Sequence, residues 1–326
     1  MTSTYYVAWW NVENLFDEEN SPRRTDKVAR ALGTSIVGWT PALRDRKIDQ
    51  LASVIAQLNG GTGPDMLGMC EVENEFVVDR LTDCVNVLLP ARSYQIVHAD
   101  TVDERGIDIA FLFDPGLFTA PADQRFQHGV MRRTATREIV QVNFQTHRGR
   151  TWAIFGNHWP SRSGGQLESA GYRAIAGETL AYFHQRVREV HGADTPVLAM
   201  GDFNDEPFDP SLVQYALSTR QRAKVLGGTS PQLWNLMWDT LGASRGTIYF
   251  DNFANMLDQF LVNKNMATQT SPIQAIAGTV EIIQLPEMVN TGTYPAPIPF
   301  GGMGKPVNTA GFSDHFPIAM TVQDAD

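Results

Sequence analysis

Five short stretches of the chain set carboxylates, amides or imidazoles at one end of an apolar run. "YVAWW" leads to Asn11 and Glu13, "MLGMC" to Glu71 and Glu73, "WAIFG" to Asn157 and His158, and "VLAMG" to Asp202 and Asn204. "GFSDH" places Asp314 and His315 immediately before "FPIAMTV". In "GDFNDEP" three carboxylates fall within five residues, where they repel one another and cost solvation if buried. Convergence of such groups at a sheet edge is how an α/β fold builds a site. Carboxylate and amide oxygens without thiolates suit a hard ion, Mg²⁺ or Mn²⁺. Zinc fits less well, because no cysteine joins the set, no HExxH motif occurs and the histidines are far apart.

The elements needed to position these residues are visible in the pattern. "TYYVAWWNV" alternates and is aromatic-rich, which predicts a strand ending near Asn11. "DMLGMCE", "YQIVHA", "DIAFLFD", "REIVQVNFQ", "TWAIFGNHW", "PVLAM", "MLDQFLV" and "FPIAMTV" predict further strands. Ile48, Leu51, Val54, Ile55 and Leu58 recur at helical spacing before an Asn59-Gly60-Gly61 stop. Phe76, Leu81, Val85 and Leu88 predict a second helix. Tyr172, Ala176, Leu180, Phe183 and Val187 predict a third, within residues 169–189. The Gly-, Pro-, Asn- and Thr-rich stretch 289–310 reads as a long ordered loop. Strands and helices mix from end to end without a linker or repeat, which favours one α/β domain over residues 1–326.

Composition bounds the function. The 326 residues are 43% hydrophobic and 19% charged, which fits a globular chain with a large core. No apolar run is long enough to predict a membrane span. The N-terminal stretch lacks the form of a secretory signal, and two cysteines make no disulfide framework, so a cytoplasmic setting is the expectation. No obligate protein partner is evident. A net charge of −10 argues against a general nucleic-acid coat, yet a divalent cation and a few local arginines can supply the field a phosphodiester needs.

Taken in order, "WNVEN", "CEVEN", "RGIDIAFLF", "GNHWPSRSGG", "GDFND", "LDQFLV" and "SDHFPI" resemble the endonuclease/exonuclease/phosphatase superfamily, with its DNase I-like fold. The matches run from Asn11 to Pro317 and look most like bacterial members. The resemblance implies a four-layer α/β/β/α sandwich: two packed mixed sheets flanked by helices, with a divalent-metal site at one end. It implies Glu71 as the main metal-binding residue, with Asn11 and Asp314 beside it; Glu13 stands at a position acidic in some members. Asp202 then orients or deprotonates the attacking water and Asn204 contacts the phosphate. His315 serves as general base or phosphate-binding group, Asp258 orients it, and His158 binds a phosphate oxygen. Such parts are what phosphoester hydrolysis needs, since its catalysis is mostly in-line positioning plus electrostatic stabilisation.

Around this set, Arg105, Asp108, Asn157, Ser161 and Arg162 are candidate substrate-binding residues, the Gly pair after Arg162 letting backbone N–H groups approach a phosphate. The duller readings are that Asn11 merely ends a strand and that Arg105 pairs with Asp108. Glu73, Asp205 and Glu206 read as solvated turn residues; His98, His128, His147, His184 and His191 read as structural. Two decoys fail: "DFNDEPFD" lacks the closing glutamate of an EF-hand, and "GGMGKPV" lacks the first glycine and the Ser/Thr of a P-loop. The expectation is therefore a Mg²⁺- or Mn²⁺-dependent phosphoesterase that cleaves phosphodiesters in a nuclease-like manner, DNA and RNA being candidate partners. A phosphatase or phosphodiesterase of small-molecule, inositol or lipid phosphates is the alternative, and a catalytically dead phosphate-binding module a remote one. A nuclease should carry a basic track, with Arg132, Arg133, Arg137, Arg148 and Arg162 as candidates.

Overall fold

Alternating apolar side chains make the strand Ser3–Leu15 bury both of its faces. Tyr5, Val7 and Trp9 point into one hydrophobic cluster and Ala8, Trp10 and Val12 into another. The structure is a computed structural model that describes residues 2–103, 105–131, 137–242 and 245–325. Its first sheet runs Ile273–Ala275, Ile318–Asp324, Ser3–Leu15, Met66–Val72, Asp108–Phe113, Gln95–Ala99. The second runs Ser218–Thr219, Leu233–Asn235, Asp258–Val262, Val197–Asp202, Thr151–His158, Ile139–Thr146, Phe118–Thr119. Both are mixed, each with a central parallel pair, Ser3–Leu15 beside Met66–Val72 and Thr151–His158 beside Val197–Asp202; a short parallel pair, Ser218–Thr219 beside Leu233–Asn235, lies at the edge of the second.

The sheets face each other across one cluster, in which Tyr5, Trp9, Met66 and Phe111 meet Phe144, Trp152, Met200 and Phe260. Helices Pro41–Gly61 and Glu75–Leu88 cover the outer face of the first sheet through Ile48, Leu51, Ile55, Leu81 and Val85. Helix Gln166–His191 covers the second through Ala176, Leu180 and Val187. This is the expected α/β/β/α layering. The helical faces follow the sequence periodicity, except that Leu88 is exposed and Phe76, Tyr172 and Phe183 are only half-buried. The stretch 289–310 is a long loop, pinned by bridges between Val289 and Pro297 and between Gly302 and Lys305. No helix among the described residues is long and apolar enough to cross a membrane.

Both parallel pairs end at the same side of the sandwich, so their C-terminal residues meet there. The antiparallel neighbours deliver their N-terminal residues to the same edge: Asp258 pairs in register with Asp202, which pairs with His158. Gly201 is required by this packing, because a Cβ there would lie 2.3 Å from the Asn157 carbonyl oxygen. Gly201→Ala is expected to cost about 1–3 kcal/mol, an overpacking effect, read as a lowered urea midpoint. An unchanged midpoint would show that the strands separate freely here.

Candidate active site

Backbone irregularity aims the site residues. The pairing of the first strand with Met66–Val72 shifts register between Asn11 and Leu15, and the next ladder shifts between Cys70 and Val72. Glu13, Asn14, Glu71 and Asn204 all have positive φ, at 52°, 54°, 66° and 51°. Non-glycine residues held this way cost about 1–3 kcal/mol each, and such strain concentrates at functional sites.

The bulge brings Asn11 between two carboxylates. Its amide Nδ2 donates to Glu71 Oε1 at 3.2 Å and, across the gap between the sheets, to Asp202 Oδ2 at 3.1 Å. Its Oδ1 accepts the Glu13 N–H at 3.0 Å. Asn11 is therefore a bracket holding Glu71 and Asp202 beside the expected ion site. The Asn14 N–H holds the other Glu71 oxygen at 3.0 Å.

Asp202 Oδ1 accepts the Asn204 N–H at 2.9 Å. Its Oδ2 lies 3.8 Å from His158 Nε2 and 3.9 Å from His315 Nε2. His158 Nε2 is also 3.5 Å from Glu71 Oε1. His315 Nδ1 pairs with Asp258 Oδ2 at 2.6 Å, and the Trp9 indole N–H donates to the other Asp258 oxygen at 3.1 Å. With Nδ1 engaged, Nε2 is the ring atom turned towards Asp202. The backbone beside the ring is fixed as well: Trp10 donates to the His315 carbonyl, and Ser313 joins Asn11 O to His315 N.

The electrostatics separate the groups. Burial pushes Asp202 up to about 7, with Asp258 and Glu71 adding to the rise while His315 opposes it. Burial and the nearby Asp314 raise Glu71. Burial alone would depress His315, but the carboxylates of Asp258, Asp202 and Asp314 outweigh it and hold the imidazole well above the usual histidine value. His158 moves the other way: burial, with Arg105 and His315 adding, keeps it well below. An acid–base pair of unlike imidazoles thus flanks one carboxylate.

A pH dependence of stability follows. Glu13 and Asp202 both stand at about 7 when folded, raised chiefly by burial, and His315 is raised further. Above pH 7 the depressed histidines are largely neutral in both folded and unfolded states. These three groups then bind more protons in the native state than in the unfolded one, so the stability they contribute is lost as pH rises from 7 to 8.5, with buried Lys47, depressed by desolvation, acting in the opposite sense. Urea midpoints of cation-free protein should fall over that window, and less so for Asp202→Asn. A flat profile contradicts the assigned shifts.

Donor chemistry suits a cation. Glu71 and Asp314 are close enough for Asp314 to raise Glu71, an excess of negative charge on oxygen donors that a hard divalent ion would relieve. Among the described residues no three His, Cys, Asp or Glu groups form a ready-made coordination shell. That still fits Mg²⁺, which takes one or two carboxylates and fills its other positions with water and phosphate oxygens.

The flanking residues divide. Arg105 is half exposed, 3.8 Å from Asp103 and not paired with Asp108, and its charge reaches Glu71 and His158. Asp108 is instead buried, accepting Thr101 N–H and O–H and lying 3.2 Å from His98 Nε2. Asn157 is fully buried: it donates to Phe155 O and Met200 O and accepts the Trp159 indole N–H. In these contacts both side chains brace strand ends. Arg162 donates to Asn204 O at 2.8 Å and to Asp209 Oδ2 at 3.0 Å, so much of its guanidinium supports the turn that carries Asn204. Ser161, half-buried, shares a hydrogen bond with Ser163.

Four carboxylates expected at the surface or at the ion lie buried in other roles. Asp205 pairs with buried Arg173 at 2.7 Å and accepts Ser211. Glu206 accepts Asn255 Nδ2 and Met256 N. Glu73 pairs with Arg24 at 2.7 Å. Glu13 accepts Phe300 N and Gly301 N, with buried Lys47 donating to its carbonyl, and so ties the long loop to the site strand. Of the described members of the expected arginine track, only Arg162 lies beside the site. Arg137 is buried and donates to Trp159 O, and Arg148 lies by Ser3 and Asp324 at the far end of the first strand. Arg132 and Arg133 lie outside the described residues. Lys305, missed by sequence reading, is exposed 3.7 Å from Asp314.

Residues 6–324 match the profile of the Endonuclease/Exonuclease/phosphatase family. No curated protein matches the chain in sequence. Solved structures share the fold. An endonuclease/exonuclease/phosphatase family protein from Bacteroides thetaiotaomicron aligns at TM-score 0.57 and 16% identity, covering 100% of this chain and 96% of the other. A humanized D. rerio TDP2 aligns at 0.58 and 15%, covering 98% of each chain. The Bacteroides thetaiotaomicron mannosyl-6-phosphatase Bt3783 aligns at 0.53 and 17%, covering 98% of this chain and 99% of the other.

Proposed function

The chain belongs to the endonuclease/exonuclease/phosphatase family, and from that premise we propose that it is a Mg²⁺- or Mn²⁺-dependent phosphoester hydrolase acting on phosphodiesters. The observation that carries this reading is the Asp202 carboxylate held between His158 and His315, with Asp258 on the far side of His315. Glu71 and Asp314 would hold the cation, whose chemistry is to draw charge from a phosphoryl oxygen.

The chain's own residues then divide the work. Asp202, with a proton affinity near neutrality, takes the proton of the attacking water through Oδ2. Protonated His315 donates Nε2–H to a non-bridging phosphate oxygen, its tautomer and orientation fixed by Asp258 and Trp9. His158 offers a neutral ring from the other side, and Asn204 lies over the same turn. Preorganised donors of this kind act where charge develops in the transition state.

Asp202, Glu71 and Asp314 are a poor landing site for a polyanion unless cations flank them. Arg105 and Lys305 are the exposed cations placed beside the site among the described residues. Two such charges suit a single strand or a small diester better than a long duplex groove. One structural neighbour points the same way: D. rerio TDP2 has been solved in complex with a single-strand DNA product. The test is cleavage of supercoiled plasmid, single-stranded DNA, RNA and phosphorylated sugars with each cation. Faster turnover of single strands supports the reading; turnover of phosphomonoesters alone replaces the diester with a phosphatase reaction.

A further inference from the structure

A two-stranded hairpin rises between the two members of the His315–Asp258 pair. Ile248–Phe250 and Phe253–Asn255 pair in antiparallel register, and Ile248 bridges to His315. The second strand runs on through Met256 and Leu257 directly into Asp258. Its base is clamped: Leu257 N and Asp258 N donate to Thr247 Oγ1, Phe316 N donates to Thr247 O, and Gly246 lets the two chains touch, since a Cβ would lie 2.5 Å from Asn255 O. Its tip is a two-residue turn, Asp251-Asn252, with φ of 50° and 68°, the signature of the rigid type I′ hairpin.

Phe250 and Phe253 are cross-strand partners on one face of this hairpin, and each is 75% exposed. One turn of the pleat lower on that face, Asn255 donates to Glu206, two residues beyond Asn204. Phe208, 57% exposed, follows in the same segment. The paired rings therefore stand on the Asn204 side of the site, about 7 Å along the strand from the residue bridged to His315. Packing does not explain two solvent-facing phenylalanines at the tip of a rigid ribbon.

We propose that Phe250 and Phe253 form a stacking platform for a nucleobase next to the scissile phosphate, so that the substrate class is a single-stranded nucleic acid. This rests on the phosphodiesterase reading above. Two observations favour a base over a bilayer. The platform is continuous with the proposed catalytic pair. Asp251 stands in the turn at the tip, where insertion into a membrane would bury a carboxylate. Stacking on aromatic side chains is tolerant of base identity and worth roughly a 5- to 150-fold change in binding per base.

The test is fluorescence-anisotropy binding of a labelled oligothymidylate and of an abasic strand of equal length and charge, with EDTA present so that nothing is cleaved. Wild type is expected to bind the base-bearing strand at least about fivefold more tightly, and Phe250→Ser/Phe253→Ser to lose that preference. Equal binding of both strands by wild type, or a preference kept by the double variant, overturns the proposal. Phenylalanine-dependent sedimentation with phosphatidylcholine vesicles in place of the base preference assigns the hairpin to a lipid surface and overturns it too. Base-dependent binding without cleavage under any cation leaves the platform standing and removes the hydrolase reading.

Discussion

Replacing His315 by alanine is expected to lower kcat for phosphoester hydrolysis by about 10²- to 10⁴-fold, the range for a positioned proton-transfer or charge-stabilising group. The reasoning runs through three hydrogen bonds. Trp9 fixes one oxygen of fully buried Asp258, the other oxygen fixes His315 Nδ1, and Nε2 is left facing Asp202. Asp258 holds the ring and its charge. Trp9→Phe keeps the ring packing but frees Asp258 Oδ1, so it should lower kcat less than His315→Ala while shifting the pH–rate profile. A purely structural tryptophan would change stability and leave the profile in place. If His315→Ala retains a rate within a fewfold of wild type, the imidazole is not in the reaction.

Glu71→Gln is expected to move two quantities in opposite directions. Cation affinity should fall about 100-fold or more, since even residues that only support a metal ligand are worth about 10- to 100-fold. Yet the cation-free protein should gain stability, because the substitution removes a buried charge that Asp314 opposes. Melting with and without Mg²⁺ reads both: a higher Tm without the ion, and a smaller rise on adding it. A residue that merely braces the fold would lower Tm in both conditions. Unchanged cation response would remove Glu71 from the ion site.

The parts of this arrangement written in local pattern were legible in the sequence. Strand alternation and helical periodicity predict which faces are buried, and the strand ends predict where Glu71, Asp202 and His315 converge. Residue type alone could not separate ligands from braces. Asn157 looks like a site amide, but Gly201 opens the space it fills and Met200 O takes its N–H. Asp205 and Glu206 look solvated until Arg173, on a distant helix face, and Asn255, on the hairpin, are brought against them. Nothing in the sequence singles out Trp9 or Lys47, yet one holds Asp258 and the other lies buried under Glu13. These contacts depend on partners between about thirty and 250 positions away and leave no mark in spacing. The positive φ of Glu71 and Glu13 is equally silent, since neither is a glycine.

The most direct measurement is the initial rate of bis(p-nitrophenyl) phosphate hydrolysis with Mg²⁺ or Mn²⁺, with EDTA, and for Asp202→Asn. The arrangement around Asp202 predicts turnover that appears with the cation, vanishes with EDTA and falls by at least about 100-fold in the variant. Turnover that survives EDTA, an Asp202→Asn rate equal to wild type, or folded protein inert with both cations would contradict it.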